Sequence, residues 1–185
     1  NNLIKEQLKK IGIGIVTKRD ILENQARLIY LGIGSNLGNK KSNIEKAKFK
    51  LLQSNIKILK SSSYYESLSW PNPNSPKSLN IVLKITSNLK PLNLLRTCKE
   101  IEISLGRKKT FKNSPRVCDI DVLDYDKKTI SNGIILPHPR MHSRNFVLLP
   151  LYEIDRNWIH PTTKHHIKRL ILSLSNRDIT SIKQI

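Results

Sequence analysis

The stretch Ser114-Pro115-Arg116-Val117-Cys118-Asp119-Ile120-Asp121-Val122-Leu123 decides how the rest of the chain is read. It reads as a short apolar strand whose alternation puts Asp119 and Asp121 on one face, with Val117 in register, and Cys118, Ile120 and Val122 on the other. Residues two apart on a strand are separated by roughly 6.6 Å, so both carboxylates can converge on the same one or two hard cations. Without a cation, like charges this close drive one carboxyl towards its neutral form, which is costly beside Ile and Val. The competing reading leaves one aspartate solvated at the strand end and pairs the other with Arg116.

Just upstream, Arg107, Lys108, Lys109, Lys112 and Arg116 place five cations in ten residues. A charge run is commonly a solvated face, but cations delivered to paired aspartates also suit a metal-bound triphosphate. The run follows a helical pattern opened by Pro91, with Leu94, Leu95, Cys98, Ile101 and Leu105 at spacings of three and four, and ended by Gly106. Downstream, Asp124 to Lys128 is a turn into a short strand at Thr129 and Ile130. In Ile134-Ile135-Leu136-Pro137-His138-Pro139-Arg140 the imidazole of His138 is held between two prolines and so lies on a loop. Arg144, Phe146 and an apolar segment to Leu151 follow. His142 and His160 read as structural.

Towards the N-terminus, Leu79 to Thr86 is a clear strand with Asn80 near its start, an amide that can both donate and accept. Ile56 to Ser63 reads as another, continued by Tyr64 to Ser67. The loop Ser69-Trp70-Pro71-Asn72-Pro73-Asn74-Ser75-Pro76 is too proline-rich for helix or central strand, and Trp70 could cap a bound ring or cover the core edge. Arg27 to Gly34 reads as the first strand, and a Gly-rich turn to Asn39 leads into helical periodicity from Lys40 to Gln53. Glycines 32, 34 and 38 would let backbone approach a ligand, although no Walker A loop is present. Residues 1–26 are a lysine-rich extension with two weak helical patterns and no assignable function. The chain starts without Met, which leaves room for a fused upstream domain. Residues 164–185 form a basic tail with at most one helix.

At 185 residues the chain can bury a single core. Lys and Arg outnumber Asp and Glu by 33 to 14, a formal charge of +19 that favours a polyanionic partner, nucleotide or nucleic acid. Much of this charge is lysine scattered without aromatic interleaving. Neither a transmembrane run nor a signal peptide is visible, so a cytoplasmic location without a membrane partner is expected. Cys98 and Cys118 match neither a zinc pattern nor a disulfide framework.

The ordered set YLGIGSNLGN, SSYYES, LNIV, LRTCKEIEISLGR, PRVCDIDVLDYD and LPHPRMHSRNFVLLPL, closed by an HP, resembles the 6-hydroxymethyl-7,8-dihydropterin pyrophosphokinase family from Tyr30 to Pro161. The resemblance implies an α+β fold, a ferredoxin-like-type, mostly antiparallel sheet with helices on both faces, spanning 27–163. It implies Mg²⁺-dependent transfer of pyrophosphate from ATP to the pterin alcohol with release of AMP; a monomer with no specific nucleic-acid partner is expected. Asp119 and Asp121 would hold two Mg²⁺ ions. Arg107 and Arg116 would act in catalysis, and Glu102, Arg107, Lys109, Lys112, Arg116, His138 and Arg144 would bind ATP. The pterin would lie against Gly34, Asn36, Ser67, Leu68 and Trp70, hydrogen-bond Asn80 and stack on Phe146.

This chain departs from the family pattern at several positions. Ser78 replaces an aromatic, Leu68 a common proline, and Asn113 a tryptophan. Lys109 and Lys112 replace arginines and are weaker bidentate phosphate clamps. The alternatives are a basic RNA-binding α/β domain, which gives no reason for paired carboxylates beside His-Pro-Arg, and a degenerate pterin-binding protein without transfer.

Overall fold

A computed structural model describes residues 26–69, 74, 76–108 and 114–185. The readings of the first 25 residues and of Trp70, Lys109, Lys112 and Asn113 fall outside these. Six strands form one sheet: β1 (Arg27–Ser35), β2 (Lys57–Ser61), β3 (Tyr65–Ser67), β4 (Ser78–Ser87), β5 (Asp119–Tyr125) and β6 (Ile182–Gln184). Their order is β5-β1-β4-β3-β6, with β2 also on β4, and every ladder is antiparallel. Helices α1 (Lys40–Gln53) and α2 (Pro91–Ser104) cover one face. Helices α3 (Asn145–Ile154) and α4 (Ile167–Leu172) cover the other. The expected α+β sheet with helices on both faces is the fold observed.

The two-residue strand period sorts side chains cleanly. Ile29, Leu31 and Ile33 of β1, Ile81, Leu83 and Ile85 of β4, and Ile120 and Val122 of β5 join one core with Ile44, Leu51, Leu94 and Cys98 of the helices. Between them, Tyr30, Val82 and Leu123 face α3 and pack with Val147, Leu148 and Leu151. Asn39 caps α1 by accepting from the Ser42 amide at 3.0 Å, and Pro91 opens α2.

Two expectations change, and one segment whose structure was unassigned is resolved. The strand expected from Ile56 to Ser67 is two strands. At Ser62 the hydroxyl takes the Val82 amide proton at 3.0 Å while the Ser62 amide donates to the Val82 carbonyl at 2.9 Å, so a side chain replaces a carbonyl in the ladder. The apolar segment after Arg144 is a helix despite Pro150 in its interior, because Val147, Leu148, Leu151 and Ile154 all bury against the sheet. The segment 164–185 is no tail: Ile167 and Leu170 enter the second core, α5 (Asn176–Thr180) follows, and β6 extends the sheet beside β3.

Candidate functional site

The site is a row across three strands. The β1 register sets Gly34 between Asn80 of β4 and Asp119 of β5, and Gly32 between Val82 and Asp121. Directly paired residues project to the same side, so Asn80, Asp119 and Asp121 share the face covered by α3, with two glycines forming a floor between them. A Cβ on Gly34 would lie 2.9 Å from Asn80 Oδ1. Glycine is therefore required for Asn80 to lie across the strand, a more specific role than the close ligand approach expected of the turn.

A cavity of about 290 Å³ opens over this floor. Lys99, Arg107, Arg116, Arg140 and Arg144 stand around Asp119 and Asp121, so five cations face two carboxylates. At the other end Gly34, Asn36, Ser67, Leu68, Ser78, Asn80 and Phe146 line a slot. Of the expected residues within the described regions, only Glu102 and His138 stand off the cavity wall.

The aspartates are held through one oxygen each. Asp119 Oδ1 accepts from Arg107 Nη1 at 2.6 Å and Arg116 Nη1 at 3.2 Å, while Asp121 Oδ2 lies 3.5 Å from Arg144 Nη1 and 3.8 Å from His138 Nε2. Burial raises the Asp119 pKa, but Arg116, Lys99 and Arg107 outweigh it and hold the carboxyl below its ordinary range. Burial works against the Arg107 charge too, yet Asp119 and Glu102 leave its pKa raised.

Glu102 is fully buried behind this wall. Its Oε1 accepts from the Ile120 amide at 2.6 Å and Lys99 Nζ at 2.8 Å, and its Oε2 accepts from Arg107 Nη1. It ties α2 to β5 and aims two cations into the cavity. The sequence reading put Glu102 on the nucleotide side; in the structure it lies behind the cavity wall, and Lys99 and Arg107, which it holds, line the cavity. Lys99 was missed, although its position three residues before Glu102 on a helix was the available signal.

His138 Nδ1 accepts from the Arg140 amide at 3.2 Å, leaving Nε2 as the proton carrier facing Asp121. Burial, with Arg144 and Arg140 adding and Asp121 opposing, lowers its pKa, so the ring is neutral at pH 7. It meets the cavity lining at Asp121, 3.8 Å from Nε2, and at the Arg140 amide. Leu136-Pro137 before it is a cis peptide.

Asn36 spends its amide on the protein. Its Oδ1 accepts from the Arg116 amide at 2.7 Å and its Nδ2 donates to Ser69 Oγ at 3.3 Å, linking the segment before β5 to the loop after β3. Ser69 also approaches Ser78 Oγ at 3.2 Å, so a hydroxyl pair stands where the family pattern has an aromatic. Phe146 presents its ring beneath the Arg144 guanidinium, 5.4 Å from the centroid. Burial pushes both cysteine thiols up to about 12, which leaves neither as a nucleophile.

The carboxylate pair fits divalent magnesium by its donor chemistry. Oδ2 of Asp119 and Oδ1 of Asp121 make no hydrogen bond among the described residues, and Mg²⁺ is commonly held by one or two carboxylates with waters and substrate phosphates. The described residues contain no group of three or more His, Cys, Asp or Glu suited to a metal ion. A cage made wholly of protein is therefore not the form this site takes among them.

The family model described as 7,8-dihydro-6-hydroxymethylpterin-pyrophosphokinase (HPPK) matches residues 30–156. A 2-amino-4-hydroxy-6-hydroxymethyldihydropteridine pyrophosphokinase of Aquifex aeolicus is 42% identical over 141 residues, covering 76% of this chain and 88% of that protein. The Folic acid synthesis protein FOL1 of Dictyostelium discoideum is 41% identical over 150 residues, 80% of this chain but only 23% of its own length. A Plasmodium falciparum HPPK-DHPS crystal structure with pterin and p-hydroxybenzoate superposes with a TM-score of 0.71 at 14% identity, over 88% of this chain and 48% of that one, a likeness of fold. With the family match running through the paired aspartates, the slot and His138, the chain belongs to the 7,8-dihydro-6-hydroxymethylpterin-pyrophosphokinase family.

Proposed function

We propose that this chain transfers the pyrophosphoryl group of ATP to the hydroxymethyl oxygen of 6-hydroxymethyl-7,8-dihydropterin and releases AMP, a step of folate biosynthesis. The observation that carries the reading is one cavity with two chemically distinct ends on one sheet face. A cation-rich end with two carboxylates suits a polyphosphate, and a slot between Asn80 and Phe146 suits a flat polar ring.

In this reading the pterin hydroxymethyl oxygen attacks the β-phosphorus in line; the new O–P bond forms as the bond from that phosphorus to the oxygen shared with the α-phosphate breaks, AMP carries away the electron pair, and the hydroxyl proton passes to solvent. Two Mg²⁺ ions held by Asp119 and Asp121 would, when bound, offset charge on the phosphate oxygens. The protein's share is placement. Arg107 and Arg116, which close on Asp119 here, would turn to phosphate oxygens, and Arg144 would do so from the far wall. Glu102 keeps Lys99 and Arg107 aimed while leaving no charge of its own in the cavity. His138, neutral, supports Asp121 without competing for phosphate. Asn80 fixes the ring edge and Phe146 its face. Such orientation lowers a barrier by roughly 7 to 11 kcal/mol without a dedicated base.

The same reading has the chain acting as a monomer in the cytoplasm without a nucleic-acid partner. Among the described residues no helix is long and apolar enough to cross a membrane. The deciding experiment follows AMP release from ATP with magnesium, with and without the hydroxymethyl pterin. Pterin-dependent AMP is expected; ATP consumption that ignores the pterin overturns the assignment.

A further inference from the structure

We infer that residues 176–185 are a clasp that sets the geometry of the ring slot, acting through Asn145 on one wall and β3 on the other. The inference rests on the pyrophosphokinase reading, which assigns that slot to the pterin. None of residues 176–185 lines the cavity, yet they are joined to both of its sides.

On one side β6 pairs with β3, setting Ile182 opposite Ser67, and the Ile185 amide donates to the Tyr64 carbonyl at 2.9 Å. Ser67 in turn accepts from Asn80 Nδ2 at 3.0 Å, so this pairing bears on the residue that would read the ring edge. On the other side Asn145, 9% exposed, donates through Nδ2 to the Asp178 carbonyl at 2.6 Å and to Ser181 Oγ at 3.2 Å. Its Oδ1 accepts from the Phe146 amide at 2.7 Å. One buried amide thus links the C-terminal segment to the first turn of α3, where Arg144 and Phe146 enter the cavity.

Packing does not explain this attachment. Helix α5 buries no side chain and β6 is half-buried at most, so the segment is held mainly by directional polar bonds. Those bonds run to the two walls that must stay a ring's thickness apart. Asn145 is a positioning residue in this scheme: it touches no substrate but fixes the backbone that carries Phe146.

The test uses Asn145→Asp, which keeps the acceptor for the Phe146 amide but sets a carboxylate against the Asp178 carbonyl, beside a chain ending at Ser175. Pterin and ATP Kd by calorimetry, KM for each substrate, and thermal midpoints are compared with the full chain. Both variants are expected to weaken pterin binding about tenfold while the ATP KM stays within about twofold. Should the shortened chain fail to fold, Asn145→Asp alone decides. Unchanged pterin affinity overturns the clasp, and so does equal weakening of both substrates, which marks general loosening. Wild-type chain that makes no pterin-dependent AMP fails the reading beneath it, a result visible before any variant is measured.

Discussion

The two faces of the sheet are built from the same strands and differ at every row. Towards α1 and α2, β1, β4 and β5 present Ile29, Leu31, Ile33, Ile81, Leu83, Ile85, Ile120 and Val122, none more than 4% exposed. One residue out of step, the same strands present Tyr30, Gly32, Gly34, Asn80, Val82, Lys84, Asp119, Asp121 and Leu123 towards α3. The first face is a finished core. On the second, apolar cover stops where the glycines begin, since α3 packs on Tyr30, Val82 and Leu123 but leaves Gly32, Gly34, Asn80 and the aspartates facing the cavity. Chemistry sits at the uncovered end of a face whose other end is core, so rigid backbone pairing holds polar groups that packing could not hold.

The sharpest way to break this contrast is one substitution on each face. Asp121→Ala is expected to lower turnover by roughly 10³-fold, the scale of removing a fixed electrostatic group, with the thermal midpoint little changed. Ile81→Ala, beside Asn80 on the opposite face, is expected to cost about 2 to 5 kcal/mol of stability while the surviving folded enzyme keeps its KM values. Steady-state kinetics beside urea unfolding separates the two. An Asp121→Ala enzyme that forms AMP at the wild-type rate would remove the metal assignment, and a destabilised fold would show that the faces are not independent.

Glu102 blurs the division and makes a smaller test. It stands on the core side of the wall yet serves the cavity, accepting from Ile120, Lys99 and Arg107 at once. Glu102→Gln keeps the shape and one acceptor but removes the charge that holds two cations. The expected result is a KM for ATP raised about tenfold with the pterin KM unchanged, since charge-assisted bonds are roughly twice as strong as neutral ones. Equal KM values in the variant would mean the carboxylate serves only to join α2 to β5.

What could be read beforehand follows the same line. Alternating strands β1 and β4 and the three-and-four spacing of α1 and α2 announce themselves because each buries one face. The i, i+2 aspartates were legible for the same reason. Glu102 was not, because a helical pattern shows which residues are buried but not that a carboxylate will turn in to meet the Ile120 amide. The α3 helix was hidden by Pro150, and the C-terminal elements by charge: Ile167 and Leu170 are few apolar positions among Lys164, Lys168 and Arg169, and strand pairing at β6 leaves little mark in three residues. The order of motifs named the family, but the role of Asn36 as an internal link depends on contacts 33 and 80 residues away.

The smallest effect expected is on pH and stability, and it separates the two ends of the α3 face. His138 sits among Asp121, Arg144 and Arg140, and burial leads the causes that put its folded pKa below the ordinary 6.5. Between that depressed value and 6.5 the unfolded chain binds more protons than the folded one, so stability rises with pH through this window and is lost as pH falls through it. His160, buried against Trp158 with its Nδ1 accepting from the Thr162 and Thr163 amides, is shifted the same way and adds to the slope. Asp119 acts lower: with its folded pKa depressed below 3.8, its contribution is full above that value and is lost as pH falls through the folded one. Thermal midpoints measured from pH 7.5 to 5 should therefore decline on the acid side, and His138→Gln should flatten part of that decline. Bound ATP should flatten the His138 share if the nucleotide draws the arginines off the aspartates, because a protonated ring beside a newly bare Asp121 then becomes favourable and the depression shrinks. A slope unchanged in His138→Gln would take His138 out of the dependence and leave it to groups such as His160, at the covered end of the face and away from the chemistry.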